Sequence, residues 1–147
     1  MPTNLIPEDK STQYNMSNVM LTLDQMVIDS LAPDPDDVLK QGEPFQLRLR
    51  LTFSGPGAAA LVALNASVRV RWSAESVGPG PELILGDANL NTTGGTFVYT
   101  SQLVVNPNPL TAEFVYKIAA SVRVGSVGFP AAINGFIEGG AIEIYNP

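Results

Sequence analysis

The chain of 147 residues contains no histidine and no cysteine. Without histidine it lacks Ser-His-Asp triads, histidine-ligated metal sites and the usual proton carrier near neutral pH. Without cysteine it lacks disulfides, thiolate nucleophiles and cysteine-bound metals. No P-loop, Gly-x-Gly-x-x-Gly or Gly-x-Ser-x-Gly pattern is present. These absences predict that the protein is not an enzyme; a carboxylate pair is the one catalytic option left, and no particular pair is indicated.

Long apolar runs and an excess of basic residues are also missing. No stretch approaches the ~18 apolar residues of a membrane-spanning helix, and residues 1–9 lack the basic and apolar regions of a signal peptide. Eight Lys and Arg residues against fourteen Asp and Glu residues give a net charge of −6, which disfavours nucleic-acid binding. We therefore expect no nucleic-acid or membrane partner, and a cytoplasmic location by default.

What the chain does have is a strict alternation of apolar and polar residues. The odd-numbered residues of 45–53 are apolar and the even-numbered ones polar, and the same period of two recurs over 68–72 and 114–123. Successive side chains on a strand point to opposite faces, so this alternation predicts half-buried β-strands. The length fits a single domain with a substantial core.

Turn residues divide the chain into about seven predicted strands. They cover residues 18–30, 44–53, 65–75, 82–85, 96–105, 113–125 and 134–145. A helix is possible over 23–31, and the alanine-rich residues 58–64 fit a helical turn or a strand. Residues 86–95 and 126–133 are expected to be loops, and Gly139-Gly140 predicts a β-bulge.

This pattern predicts an all-β, antiparallel β-sandwich of about seven strands, with an eight-strand jelly roll as the alternative. Residues 1–17 are polar and without periodicity, so we expect a flexible N-terminal arm, which can also dock on a neighbouring subunit. Residues 18–147 are expected to form the single sandwich domain.

Two short motifs resemble immunoglobulin-like and fibronectin type III-like sandwiches. Residues 67–72 (SVRVRW) alternate and end in a tryptophan, and residues 110–118 (LTAEFVYKI) place a leucine ahead of Tyr116. The second motif is similar to the corner of those folds where a tyrosine hydroxyl bonds to the backbone upstream. The resemblance implies an immunoglobulin-like fold with that hydrogen bond, and no particular function.

Four aspartates form the one group that suggests a metal. They are Asp29, Asp34, Asp36 and Asp37. Calcium binds six to eight oxygen ligands, and loop carboxylates can supply several. However, the spacing matches no EF-hand, and aspartate is also a favoured turn residue beside proline. Calcium binding and a solvated acidic loop are the two interpretations, and no other cofactor is indicated.

Six of the eight basic residues lie on predicted strands, among the outward positions. They are Arg48, Arg50, Arg69, Arg71, Lys117 and Arg123. One interpretation is that they keep sheet faces hydrated and pair with neighbouring acids. The other is a protein interface, because arginine is enriched there and forks onto carboxylates. The Asp29–Asp37 loop and Glu8-Asp9 could supply the opposite charge from a second copy.

The function predicted from these features is a non-catalytic structural or protein-interaction module that self-associates through charged sheet faces and the N-terminal arm. The alternative is a calcium- or carbohydrate-binding module that uses the Asp29–Asp37 loop. Carbohydrate binding requires exposed aromatic rings, and four aromatic residues are not assigned to the core: Tyr14, Tyr99, Phe129 and Tyr145.

Overall fold

The computed structural model describes residues 4–5, 12–16, 19–31, 38–78, 82–126 and 129–146; for 4–5, 12–16, 126 and 129–132 it describes the backbone alone. These residues form ten strands and one short helix. In chain order they are β1 (Asn4–Leu5), β2 (Thr12–Met16), β3 (Val19–Ser30), β4 (Val38–Lys40), β5 (Phe45–Ser54), α1 (Ala58–Ala63), β6 (Ser67–Ser76), β7 (Leu83–Asn91), β8 (Val98–Val105), β9 (Val115–Ser126) and β10 (Phe129–Tyr145). Within the described ranges, no helix is both long and apolar enough to span a bilayer.

The strands form two five-stranded sheets. The first has the order β1-β3-β5-β8, with β2 also paired to β3, and the second has the order β4-β10-β9-β6-β7. The predicted all-β sandwich is confirmed. The seven strands of eight or more residues correspond to the seven predicted ones. One pairing departs from the antiparallel expectation, because β4 runs parallel to β10.

The core lies between the two sheets and is built from the apolar half of each alternation. All five odd-numbered apolar residues of β5 are at most 2% exposed. Trp72 on β6 and Tyr116 on β9 are the largest buried side chains of the second sheet, and both belong to the same apolar cluster as the β5 residues. Burial of such aromatic side chains removes 150–250 Å² each from water, so they dominate the packing energy.

The tyrosine corner implied by the resemblance is present. The backbone N–H of Thr111 donates a hydrogen bond of 3.1 Å to the hydroxyl of the buried Tyr116. The corner therefore ties the entry of β9 to the loop that precedes it. The finer assignment to an immunoglobulin-like family stays a prediction.

Two loop predictions were wrong, and two open choices between helix and strand are decided. Residues 86–91 are not a loop but continue β7. The register of β7 against β6 shifts beside Trp72, and Gly86, with φ +150°, adopts the backbone conformation of this bulge, so that the strand continues past it. Residues 129–133 already belong to β10. The possible helix over 23–31 is a strand, since β3 pairs with β5 along this stretch. Residues 58–63 are helical, the first of the two forms that their sequence allowed.

Two bulges set which residues face outward. The register of β10 shifts between Glu138 and Ala141, so the bulge predicted at Gly139-Gly140 is confirmed. The register of β3 shifts between Asp24 and Val27, where Gln25 has φ +51°. An extra residue reverses the alternation, and Asp24 and Asp29 therefore lie on the same face although five residues separate them.

Two segments of the predicted N-terminal arm pair with β3. Backbone pairing joins Thr12–Met16 to residues 19–23, and Asn4–Leu5 to residues 27–28. The division of the chain into an arm of residues 1–17 and a domain of residues 18–147 stays a prediction.

Candidate functional site

The six basic residues of the predicted interface lie on two different surfaces. Arg48 and Arg50 are on β5, on the outer side of the first sheet. The other four are on β6 and β9, on the outer side of the second sheet: Arg69, Arg71, Lys117 and Arg123. The structure therefore divides one expected basic surface into two, and their surroundings differ.

Both arginines of the first sheet are held by aspartates of the adjacent strand. Arg50 donates two hydrogen bonds to Asp24, of 2.8 and 2.7 Å, in a fork that raises the pKa of the guanidinium. Arg48 donates two to Oδ2 of Asp29, at 3.0 and 2.6 Å. These pairs follow from the β3 bulge, which turns both aspartates outward. They fit the interpretation in which strand arginines pair with neighbouring acids.

The aspartate group is only partly described. Asp29 is buried and ion-paired with Arg48, which supplies the opposite charge to its carboxylate. Asp34, Asp36 and Asp37 lie outside the described residues. Within those residues, no cluster of three or more Asp, Glu, His or Cys side chains could hold a metal ion. Calcium binding by this loop stays a prediction.

The outer side of the second sheet, formed by the outward residues of β6, β7, β9 and β10, is here called the second outer face. Arginines occupy one end of it. Arg71 donates hydrogen bonds of 2.8 and 3.1 Å to Asp87 on β7. Arg69 lies directly opposite Arg123 on the neighbouring strand. We call these four residues the arginine end.

Arg69 and Arg123 differ from the other strand cations in their neighbours. Their row across the sheet continues with Asn89 on β7 and Asn134 on β10. Among the described residues, no carboxylate forms an ion pair with either arginine. Two like charges directly opposite each other on adjacent strands repel. The row therefore presents hydrogen-bond donors and two positive charges that have no ion pair among the described residues.

Glutamates occupy the other end of the same face. Glu75 lies opposite Lys117, and Lys117 Nζ is 3.9 Å from a carboxylate oxygen of Glu138. Glu143 follows on β10, beyond the glycine bulge, and is exposed. We call Glu75, Lys117, Glu138 and Glu143 the glutamate end. Three acids and one base give it the opposite sign to the arginine end.

The glutamate end borders a shallow cavity of about 210 Å³, lined by Glu75, Ser76, Val77, Lys117 and Glu138. It contains two carboxylates, the minimum for a glycosidase-type reaction. However, Glu75 and Glu138 are exposed and Lys117 Nζ lies 3.9 Å from Glu138, whereas the general acid of such enzymes lies in an apolar pocket. The cavity does not supply the acid that carboxylate-based hydrolysis requires.

Of the four aromatic residues that the sequence leaves outside the core, the structure describes the side chains of Tyr99 and Tyr145, whereas those of Tyr14 and Phe129 lie outside the description. The ring of Tyr99 packs edge-on against Phe53, with centroids 5.9 Å apart. Its hydroxyl accepts a hydrogen bond from the backbone N–H of Thr93 and lies 2.6 Å from the carbonyl oxygen of Thr96. Tyr145 is half-buried. Carbohydrate binding stays a prediction.

The charge partners were the part of the site that sequence reasoning missed. Asp24, Asp87 and Glu75 were not singled out, although all three face outward beside a basic residue. The period of two assigns a residue to the inner or outer side, and pairing of neighbouring strands was needed to identify its partner.

Comparisons with known proteins show a remote likeness in structure. No protein-family model matches the chain, and no curated protein sequence matches it. Among solved structures, it is similar to AggA, the major subunit of aggregative adherence fimbriae type I from Escherichia coli, with 11% sequence identity and a TM-score of 0.41. The match covers 92% of this chain and 100% of that one. At these values the likeness carries no inference about function.

Proposed function

We propose that this protein is a non-catalytic structural or protein-interaction module that self-associates through its second outer face. The observation that carries the proposal is the row formed by Arg69 and Arg123, which lie opposite each other with no ion-pair partner among the described residues. An isolated chain gains nothing from this repulsion. A carboxylate from a second molecule would relieve it and accept forked hydrogen bonds.

The partner chemistry follows from charge. The chain has fourteen acidic residues against eight basic ones, so a second copy offers many carboxylates to an arginine pair. The glutamate end of the same face is a nearby source, because its side chains are exposed. Arg48 and Arg50 support no comparable role, since Asp29 and Asp24 of their own chain already bind them.

Sedimentation velocity over a range of protein concentrations tests the proposal. We expect association at low salt that weakens strongly at about 1 M salt, where the Debye length is about 3 Å. Arg69→Gln should weaken the association, whereas Arg50→Gln on the first sheet should leave it unchanged. A single-copy species at every concentration and salt level would overturn the proposal.

A further inference from the structure

The two charged ends of the second outer face are separated along the strand direction. Arg69 and Glu75 lie on the same strand, six residues apart, which corresponds to about 20 Å at 3.3 Å per residue. Arg123 lies in the row of Arg69, and Lys117 lies in the row of Glu75, with Glu138 beside it. The face therefore has a positive and a negative end, both on rigid, regular strands.

A face with this pattern can pair with itself symmetrically in two limiting ways. When two sheets meet face to face, the two-fold axis lies between them, and its limiting directions are along the strands and across them. An axis along the strands places each arginine end over the arginine end of the other copy. An axis across the strands reverses the strand direction, so each arginine end lies over a glutamate end.

We infer that two copies of this chain pair through their second outer faces about a two-fold axis that crosses the strands near Trp72. This inference rests on the self-association proposed above and adds its geometry and its contacts. Trp72 is midway between Arg69 and Glu75 on β6. The axis at this level places Arg69 of each copy over Glu75 of the other, where a forked hydrogen bond to the carboxylate can form. The same register places Arg123 over Lys117 of the other copy. The Arg69–Glu75 contact therefore favours this axis, and the carboxylates nearest to Arg123 are those beside Lys117, Glu75 and Glu138.

The centre of the face suits close approach. Near the axis, β9 presents the small side chains of Ala119 and Ser121, and β6 presents Ser73 and Arg71. The axis places the long Arg71 side chain over the small Ser73 of the other copy, which leaves room for sheets about 10 Å apart. Two large apolar side chains flank this centre: Phe136 in the row of Ser121 and Ile84 in the row of Ser73. They are 49% and 62% exposed.

These two apolar side chains also lie near the axis. Phe136 and Ile84 each lie about one row from the level of Trp72. A two-fold rotation there brings each of them close to its own counterpart in the other copy. The dimer would then have apolar contacts beside its axis and charged pairs at both ends, which is the common arrangement of an apolar core and polar rim.

Charge reversal at the two ends tests this geometry. Arg69→Glu alone places glutamate over glutamate at both ends of the dimer, and Glu75→Arg alone places arginine over arginine. Each variant should raise the dimer dissociation constant at low salt by about tenfold or more. An equimolar mixture of the two variants restores opposite charges between positions 69 and 75 at both ends of the dimer, as does the double variant Arg69→Glu/Glu75→Arg. Both should recover wild-type association in sedimentation velocity.

The matched control makes an equal change in net charge on the first sheet. Thr100→Glu/Gln102→Glu places two acids at exposed positions of β8 and should dimerise like the wild type. Melting temperatures confirm that every variant is folded. Single variants that dimerise as tightly as the wild type, or a mixture that fails to recover, would overturn the two-fold geometry and leave salt-sensitive self-association standing. A wild-type chain that is always a monomer would overturn both proposals.

Discussion

Arg69 and Arg123 are direct cross-strand neighbours on β6 and β9, with asparagines on both sides of them in the same row of the sheet. Four other strand cations are paired with aspartate or glutamate. Both arginines of the first sheet have an aspartate partner, whereas the second outer face contains two arginines without an ion pair among the described residues. For this reason we treat the second outer face as the interface.

Removing one of these two charges should stabilise the isolated chain. We expect Arg123→Gln to raise the free energy of unfolding of the dilute monomer by about 0.5 kcal/mol at low salt, because it relieves repulsion with Arg69. Urea denaturation at low protein concentration measures this. Arg50→Gln is the control and should lower stability, since Arg50 is paired with Asp24. A loss of stability on Arg123→Gln would show that the two guanidiniums do not repel.

The tyrosine corner makes a second prediction. Tyr116→Phe keeps the buried ring and removes the hydroxyl that accepts a hydrogen bond from Thr111. It should lower the free energy of unfolding by about 1 kcal/mol, seen as a lower urea midpoint with an unchanged slope. Tyr99→Phe should cost less, because water can replace its exposed hydroxyl. Equal costs for the two variants would argue against a special role for the corner.

The bulge in β7 makes a third prediction. Gly86 has φ +150°, and a Cβ there would lie 3.2 Å from Leu103 Cδ2 across the gap between the sheets. Gly86→Ala should therefore cost about 1 kcal/mol or more, from backbone strain and from displacement of Leu103. Gly95→Ala is the comparison, because Gly95 also has a positive φ but no atom within 4 Å of its added Cβ. Thermal unfolding should rank Gly86→Ala as clearly less stable; the reverse order would contradict this account.

The pairing of Asp87 gives a pH dependence. Hydrogen bonds from Arg71 lower the pKa of the Asp87 carboxyl, with Arg69 adding weaker attraction. A carboxyl whose pKa is lower in the folded than in the unfolded chain stabilises the fold above its ordinary pKa of about 3.9. That contribution is lost as the pH falls through the folded-state pKa. The stability difference between the wild type and Asp87→Asn should thus be constant near neutral pH and shrink below about pH 4. A difference that persists fully at pH 2 would contradict it.

The strands with strict alternation could be predicted from the sequence, and the irregular ones could not. In β5 every second residue is buried, so its face assignment followed directly. In β7, Gly86 and the polar residues Asp87, Asn89 and Asn91 hid the strand, because glycine and asparagine are typical of turns. The parallel pairing of β4 with β10 has no local signal, since it joins residues about a hundred positions apart.

The candidate site was predictable residue by residue but not as a surface. Alternation placed all six cations on outward positions, yet it does not say which sheet each strand joins. The β3 bulge is the clearest example. A regular strand would turn Asp24 and Asp29 to opposite sides of the sheet, whereas the extra residue turns both outward, where they form ion pairs with Arg50 and Arg48. Strand order and register were needed to identify which arginines have an aspartate partner and to distinguish them from Arg69 and Arg123.

The most direct test of the central claim is the mass of the wild-type protein in solution at low salt, measured by light scattering over a range of concentrations. The account predicts a mass that rises with concentration towards twice the 15.6 kDa of one chain and returns to that of one chain at about 1 M salt. A mass of 15.6 kDa at every concentration and salt level would contradict it.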